Sequence, residues 1–229
     1  MRTISVVTPP AIEPVTVADA RLALGQDAGA DAPVLDLRLR AARELAEAFT
    51  GRAFITTTFL VTLDSFPSAP IEEWWDGVRD GVPAWRRSSI TLPRPPVQSI
   101  TSIKYTDASG VEQTVDSGTY YLAGGRIMLL PAMSWPSYAR TASVKVTFVS
   151  GYGDAPEDVP AGVRAGILAH VRDVTEHPNA AVTAERVDNA SVTYGTARAS
   201  GQVVESPGGL RGGAADLLRP YRVLRSGLA

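Results

Sequence analysis

The chain contains no cysteine and only two lysines, Lys104 and Lys145. Without cysteine there are no disulfides, thiolate nucleophiles or zinc–thiolate centres. With so little lysine, arginine supplies nearly all of the 22 basic side chains, and 24 acidic ones leave a net charge of −2. No global basic field is present to hold nucleic acid. Long apolar runs are missing too: no stretch approaches the about 18 residues that a membrane helix needs. The opening residues, "MRTISVVTPPAIEPVT", carry one arginine and no long apolar segment, so a signal peptide is not expected. These absences point to a soluble intracellular protein with no membrane partner.

What is present suffices for a real core: 229 residues, 45% of them hydrophobic. Pro9, Pro10 and Pro14 predict an extended N-terminal arm. Thr16 is placed to cap a short helix, "VADARLAL", that ends at Gly25. A second helix is predicted from Pro33 to Thr50, with Gly51 just past its end. Its apolar face is Leu35, Leu39, Ala42, Ala46 and Phe49; Arg38, Arg40, Arg43, Glu44 and Glu47 fall mostly off it.

From Phe54 the period changes. "FITTTFLVTLDSF", "SITLP", "VQSITSIKYTD", "EQTV", "TYYLAG", "GRIMLLP" and "SVKVTFVSG" are rich in β-branched and aromatic residues. Asp107–Gly110 and Gly124-Gly125 read as hairpin turns. The middle of the chain is therefore a mostly antiparallel sheet or small sandwich. It is interrupted at 72–89 by a segment with Trp74, Trp75 and Trp85 among charges and glycines, read as a projecting loop or short hairpin. "SGYGDAPEDVP" then leads into a helix from Pro160 to about Glu176, with Val163, Ile167, Val171 and Val174 on one face. Beyond Pro178 the composition allows one extended strand, then "SPGGLRGGA" as a flexible linker, then a short amphipathic tail.

The pieces "EPVTVADARLAL", "LRLRAARELAEAFTGRAFITTTFLVTLDSFP", "ITLPRPPVQSITSIKYTDASG", "YYLAGGRIMLLPAMSWPS" and "VKVTFVSGYGDAPEDVPAGVRAGILAHV" occur in this order. In that order the chain resembles the head–tail connector proteins (adaptor, or head-completion, proteins) of long-tailed bacteriophages and gene transfer agents. The resemblance implies an α+β fold: a small helical bundle carrying a large antiparallel β-rich insertion, with extended N- and C-terminal arms. The implied division is 1–53 (arm and first bundle part), 54–150 (β-rich domain), 151–178 (second bundle part) and 179–229 (C-terminal arm). It further implies a ring, usually of twelve subunits, that sits on the portal protein, extends the DNA channel and docks a tail-side stopper or tail terminator. Such a protein is made in the bacterial cytoplasm and ends in the virion or phage-like particle. Double-stranded DNA passes through without sequence recognition. Segment 72–89 and the tail depart from the family pattern.

Candidate partner contacts are Trp74, Trp75, Trp85, Arg86 and Arg87 in the loop, because tryptophan and arginine are enriched at interface hot spots. The tail adds an apolar stripe of Leu217, Leu218, Tyr221 and Leu224 with Arg219, Arg222 and Arg225 beside it, suited to a groove on another chain. The alternatives are rings that cap the sheet and a tail that folds back on its own helices. Catalysis is not expected. His170, Asp173 and His177 share a helix face without a third strong ligand and read as packing or surface groups. Glu72, Glu73 and Asp76 read as an exposed acidic loop, and no nucleophile elbow accompanies His170. No cofactor is implied. A second function class is a β-rich, tail-associated carbohydrate- or receptor-binding module, with the loop tryptophans stacking on sugars.

Overall fold

The structure is a computed structural model that describes residues 2–25, 32–67, 78–79, 82–83, 89–136, 143–176, 185–187, 190–192 and 209–223. The chain forms two compact units, each built from two separate stretches. One comprises Met1–Ile12 and Gly51–Ala155, the other Glu13–Thr50 and Pro156–Ala229.

The first unit is β-rich. Its strands are β1 (Arg2–Thr8), β2 (Thr57–Leu63), β3 (Val78–Arg79), β4 (Val82–Pro83), β5 (Ile90–Thr91), β6 (Val97–Thr106), β7 (Glu112–Thr114), β8 (Tyr120–Ala123), β9 (Arg126–Leu129) and β10 (Val144–Ser150). Five form an antiparallel sheet in the order β1-β2-β10-β6-β7, and three form a second sheet, β5-β9-β8. The α+β expectation holds. The core is made where alternation puts one face of each sheet inward. Phe59 and Val61 lie opposite Phe148 and Val146 on β2 and β10. They pack with Ile103 of β6, and with Ile90 and Ile127 of the second sheet. The Phe59 and Phe148 rings stack at 5.7 Å. Trp135 stacks on Phe66 at 5.1 Å within this core.

Turn chemistry fixes the register. Gly124 and Gly125 both have positive φ (55° and 75°), as a two-residue hairpin loop with Ala123 opposite Arg126 requires. In the β6–β7 turn, the Asp107 carboxylate accepts from the Ser109 hydroxyl, from Gln113 Nε2 at 2.9 Å, and from the backbone N–H groups of Val111 and Ser109. These bonds, the one from the Ser109 hydroxyl foremost, pull its carboxyl down to about 2.

The "SGYG" junction is stitched into the β unit by main-chain bonds. Gly151 N–H donates to Pro96 O, Tyr152 N–H to Phe54 O, and Thr56 N–H to Gly153 O. Gln98 Nε2 adds a bond to Gly151 O at 2.9 Å. Gly151 has φ 143°, and a Cβ there would lie 2.6 Å from the Ile55 carbonyl carbon. Only glycine fits that approach.

The second unit is helical: α1 (Val17–Leu24), α2 (Ala32–Thr50), α3 (Ala161–Glu176) and the short α4 (Ala214–Leu218), followed by a 3₁₀ turn over Arg219–Tyr221. Thr16 caps α1 by accepting from Asp19 N–H at 3.1 Å, and Gly25 ends it in the left-handed region. The predicted face of α2 is buried at Leu35, Leu39, Ala42 and Ala46. Val163, Ile167 and Val171 of α3 are buried in the same way. A small hairpin, Glu185–Val187 with Ala190–Val192, stands where one strand is predicted.

Three further predicted features differ. The first residues are extended but not a free arm, because β1 pairs antiparallel with β2 along its length. Arg43, read as off the apolar face of α2, is buried with Glu13 at 2.8 Å and Glu47 at 3.1 Å. Finally, the "GGLRGG" stretch is packed rather than a loose linker where it is described. Leu210 is buried, and a Cβ on Gly212 would lie 2.5 Å from Ala169 O.

Candidate partner interface

Among the described residues, no group of three or more His, Asp or Glu side chains is placed to hold a metal. His170 lies in the interior of the helical unit. Its Nδ1 accepts from Arg211 N–H at 3.0 Å, and burial, then Arg211, pushes its pKa below the ordinary value. A histidine so engaged is not poised to activate a serine. His177, Glu72, Glu73 and Asp76 lie outside the described residues.

The surface is more informative. Ile4 and Val6 of β1 stand in register with Val61 and Phe59, both core residues of β2. They therefore belong to the core-side face of the sheet. Yet they are 42% and 55% exposed. Every residue from Thr3 to Thr8 is exposed, and β1 is the last strand on its side of the sheet. The opposite edge, β7, is built differently. It is three residues long, and Glu112 there takes Lys104 at 2.9 Å and Lys145 at 3.4 Å. Both lysines of the chain converge on this carboxylate and hold it below the usual range. Charge and shortness protect such an edge from pairing; β1, uncharged from Thr3 to Thr8, lacks both devices. On the helical unit, Leu22 of α1 (84%) and Leu37 of α2 (67%) are the most exposed large apolar side chains.

The tail candidates separate. Leu218 is fully buried in its own unit: a Cβ on Gly166 of α3 would lie 2.9 Å from Leu218 Cγ. Tyr221 is half-buried over Gly162 of the same helix. Arg222 stands over the Phe49 ring at 5.2 Å, and Val223 N–H donates to Thr50 O at 2.7 Å. The described tail is thus folded back on its own helices. Leu218 is unavailable to another chain in this arrangement, whereas Leu217 and Arg219 face outward. Trp74, Trp75, Trp85, Arg86, Arg87, Leu224 and Arg225 lie outside the described residues. Sequence reasoning missed the β1 surface. Its signal was the uncharged alternation of "TISVVT", masked by the prolines that follow.

No protein-family description matches the chain, and no curated protein matches it by sequence. Solved structures do. A chain in the neck of an empty gene transfer agent particle with C6 symmetry aligns at TM-score 0.67 and 22% identity, over 99% of this chain and 98% of that one. A chain of the native gene transfer agent virion aligns at 0.65 and 21%, and one from the native neck with C12 symmetry at 0.64 and 22%, each with the same coverage. From end to end, the chain shares the fold of proteins found in the neck and virion of gene transfer agent particles.

Proposed function

We propose that this chain is a structural, non-enzymatic head–tail connector subunit of a phage-like particle. One observation carries this reading: the fold match spans nearly the full length of both chains, and the matched chains lie in a particle neck. Its work is assembly. Copies close a ring, of twelve in this reading, on the portal, continue the DNA channel and offer a surface to a stopper or tail terminator.

A closed ring of identical copies needs two unlike lateral faces that fit each other head to tail. The open β1 edge with Ile4 and Val6 is suited to be one such face, and the surface bearing the exposed Leu22 or Leu37 is suited to be the other. In this reading Leu217 and Arg219, together with Trp74, Trp75, Trp85, Arg86 and Arg87 and the tail residues Leu224 and Arg225, make the portal or tail-side contacts. The mild net charge of −2 suits a conduit through which DNA slides, since many phosphate contacts would hold it.

Deletion of the gene and electron microscopy of the resulting particles test the reading. Heads that are filled or leaking DNA, lying beside free tails, are the expected outcome. Intact tailed particles would overturn it.

A further inference from the structure

Where the tail is seated on α3, one side-chain-to-backbone bond depends on a histidine being neutral. Arg211 N–H donates to His170 Nδ1 at 3.0 Å. A neutral imidazole accepts at one nitrogen; a protonated one has only donors. The bond sits where the tail segment first meets α3. One residue on, Gly212 lies so close to Ala169 O that no side chain fits between them. Leu210, Ala214, Ala215 and Leu218 are buried on either side of it. His170 itself is only 7% exposed, so a lost bond is not readily replaced by water.

We propose that His170 is a proton-sensitive latch that holds segment 209–223 on α3 and lets it go in acid while the rest of the chain stays folded. Protonation turns Nδ1 into a donor facing another donor, the Arg211 N–H, and puts a charge in a buried site. The charged groups acting on the ring are Arg211 on the segment and Asp173 on α3. Burial and Arg211 oppose protonation, and Asp173 favours it. Because the docked pKa is lower than the ordinary 6.5, docking is at full strength above about 6.5 and weakens as the pH falls below it. Release uncovers Leu218 and the glycine-lined stripe of α3 at Gly162 and Gly166. The latch does not depend on the connector reading.

Hydrogen exchange of the full chain, followed by mass spectrometry from about pH 8 to about pH 5 and corrected for intrinsic rates, tests it. In the unaltered protein, protection of 209–223 should drop on the order of tenfold across this range, with β6 and β10 unchanged. His170→Asn puts an amide oxygen near the Nδ1 position and does not titrate, so protection should persist and be flat with pH. His170→Phe has no acceptor and should lower protection of 209–223 throughout. Equal protection of the unaltered protein at both ends of the range would overturn the proposal. So would an Asn variant that keeps the full pH dependence.

Discussion

Arg43 shows how one residue ties the helical unit together. Its Nε meets Glu13 at 2.8 Å and its Nη1 meets Glu47 at 3.1 Å, with all three side chains largely buried. Burial raises the Glu13 carboxyl above its ordinary value, and Arg43 offsets part of that rise. Removing the arginine leaves carboxylates without their counter-charge. Arg43→Met should therefore cost about 3 kcal/mol, read as a lower urea midpoint at unchanged slope. The sign with pH follows from the raised carboxyl. Its protonated form is the one that folding favours, so the deficit should be largest at neutral pH and shrink toward the ordinary 4.5. A variant with wild-type stability would show that the cluster is a solvated surface group. The sequence did not reveal this residue, because the spacing of α2 puts Arg43 beside its stripe. Glu13, from 30 residues earlier, is what draws it in.

At the scale of elements, local pattern was legible and pairing was not. The α1 cap at Thr16, the stripe of α2, and the glycine turn between β8 and β9 follow from nearby residues. Each is a short-range event with few alternatives. The place of β1 was not legible, because its partner β2 is some fifty residues away and Pro9-Pro10 suggest an arm. The exposure of Ile4 and Val6 yields a clean prediction. Ile4→Lys with Val6→Lys adds charge to side chains that are already solvated, so the unfolding midpoint should move little. In the proposed ring, assembly should suffer, because two lysines on an edge oppose strand addition and apolar contact. Sedimentation of the variant with portal-bearing heads should find it unassembled. Rings of normal size would exclude β1 as a lateral face.

For the whole molecule, charge and connectivity decide. The chain passes between its two units three times, so neither is a contiguous stretch, and no single cut releases one intact. With net charge −2, the proposed connector role requires DNA to be met without being read. Gel-shift titrations on unrelated duplexes should give equal, weak binding with only a shallow dependence on salt between about 50 and 200 mM, as few phosphate contacts require. A preference of more than about tenfold for one sequence would be direct base readout and would contradict a sliding channel.

The sequence by itself determined the fold class and most of the elements. Composition ruled out disulfides and zinc–thiolate sites, and periodicity placed helices at 17–24, from Pro33 to Thr50 and from Pro160 to about Glu176, within a residue of those observed, and a β-rich middle between them. These are properties of a residue and its near neighbours. Tertiary structure alone decided what faces what. It set β1 on β2, drew Arg43 to Glu13, placed Trp135 in the core, and seated Leu218 and Arg211 on α3. The same apolar stripe, Leu217 to Tyr221, satisfies a partner's groove or the chain's own helix equally well by pattern. The second is selected by the room that Gly162 and Gly166 leave for the Tyr221 and Leu218 side chains, and by the approach of Gly212 to Ala169 O, and glycine spacing has no meaning until the opposing surface is known.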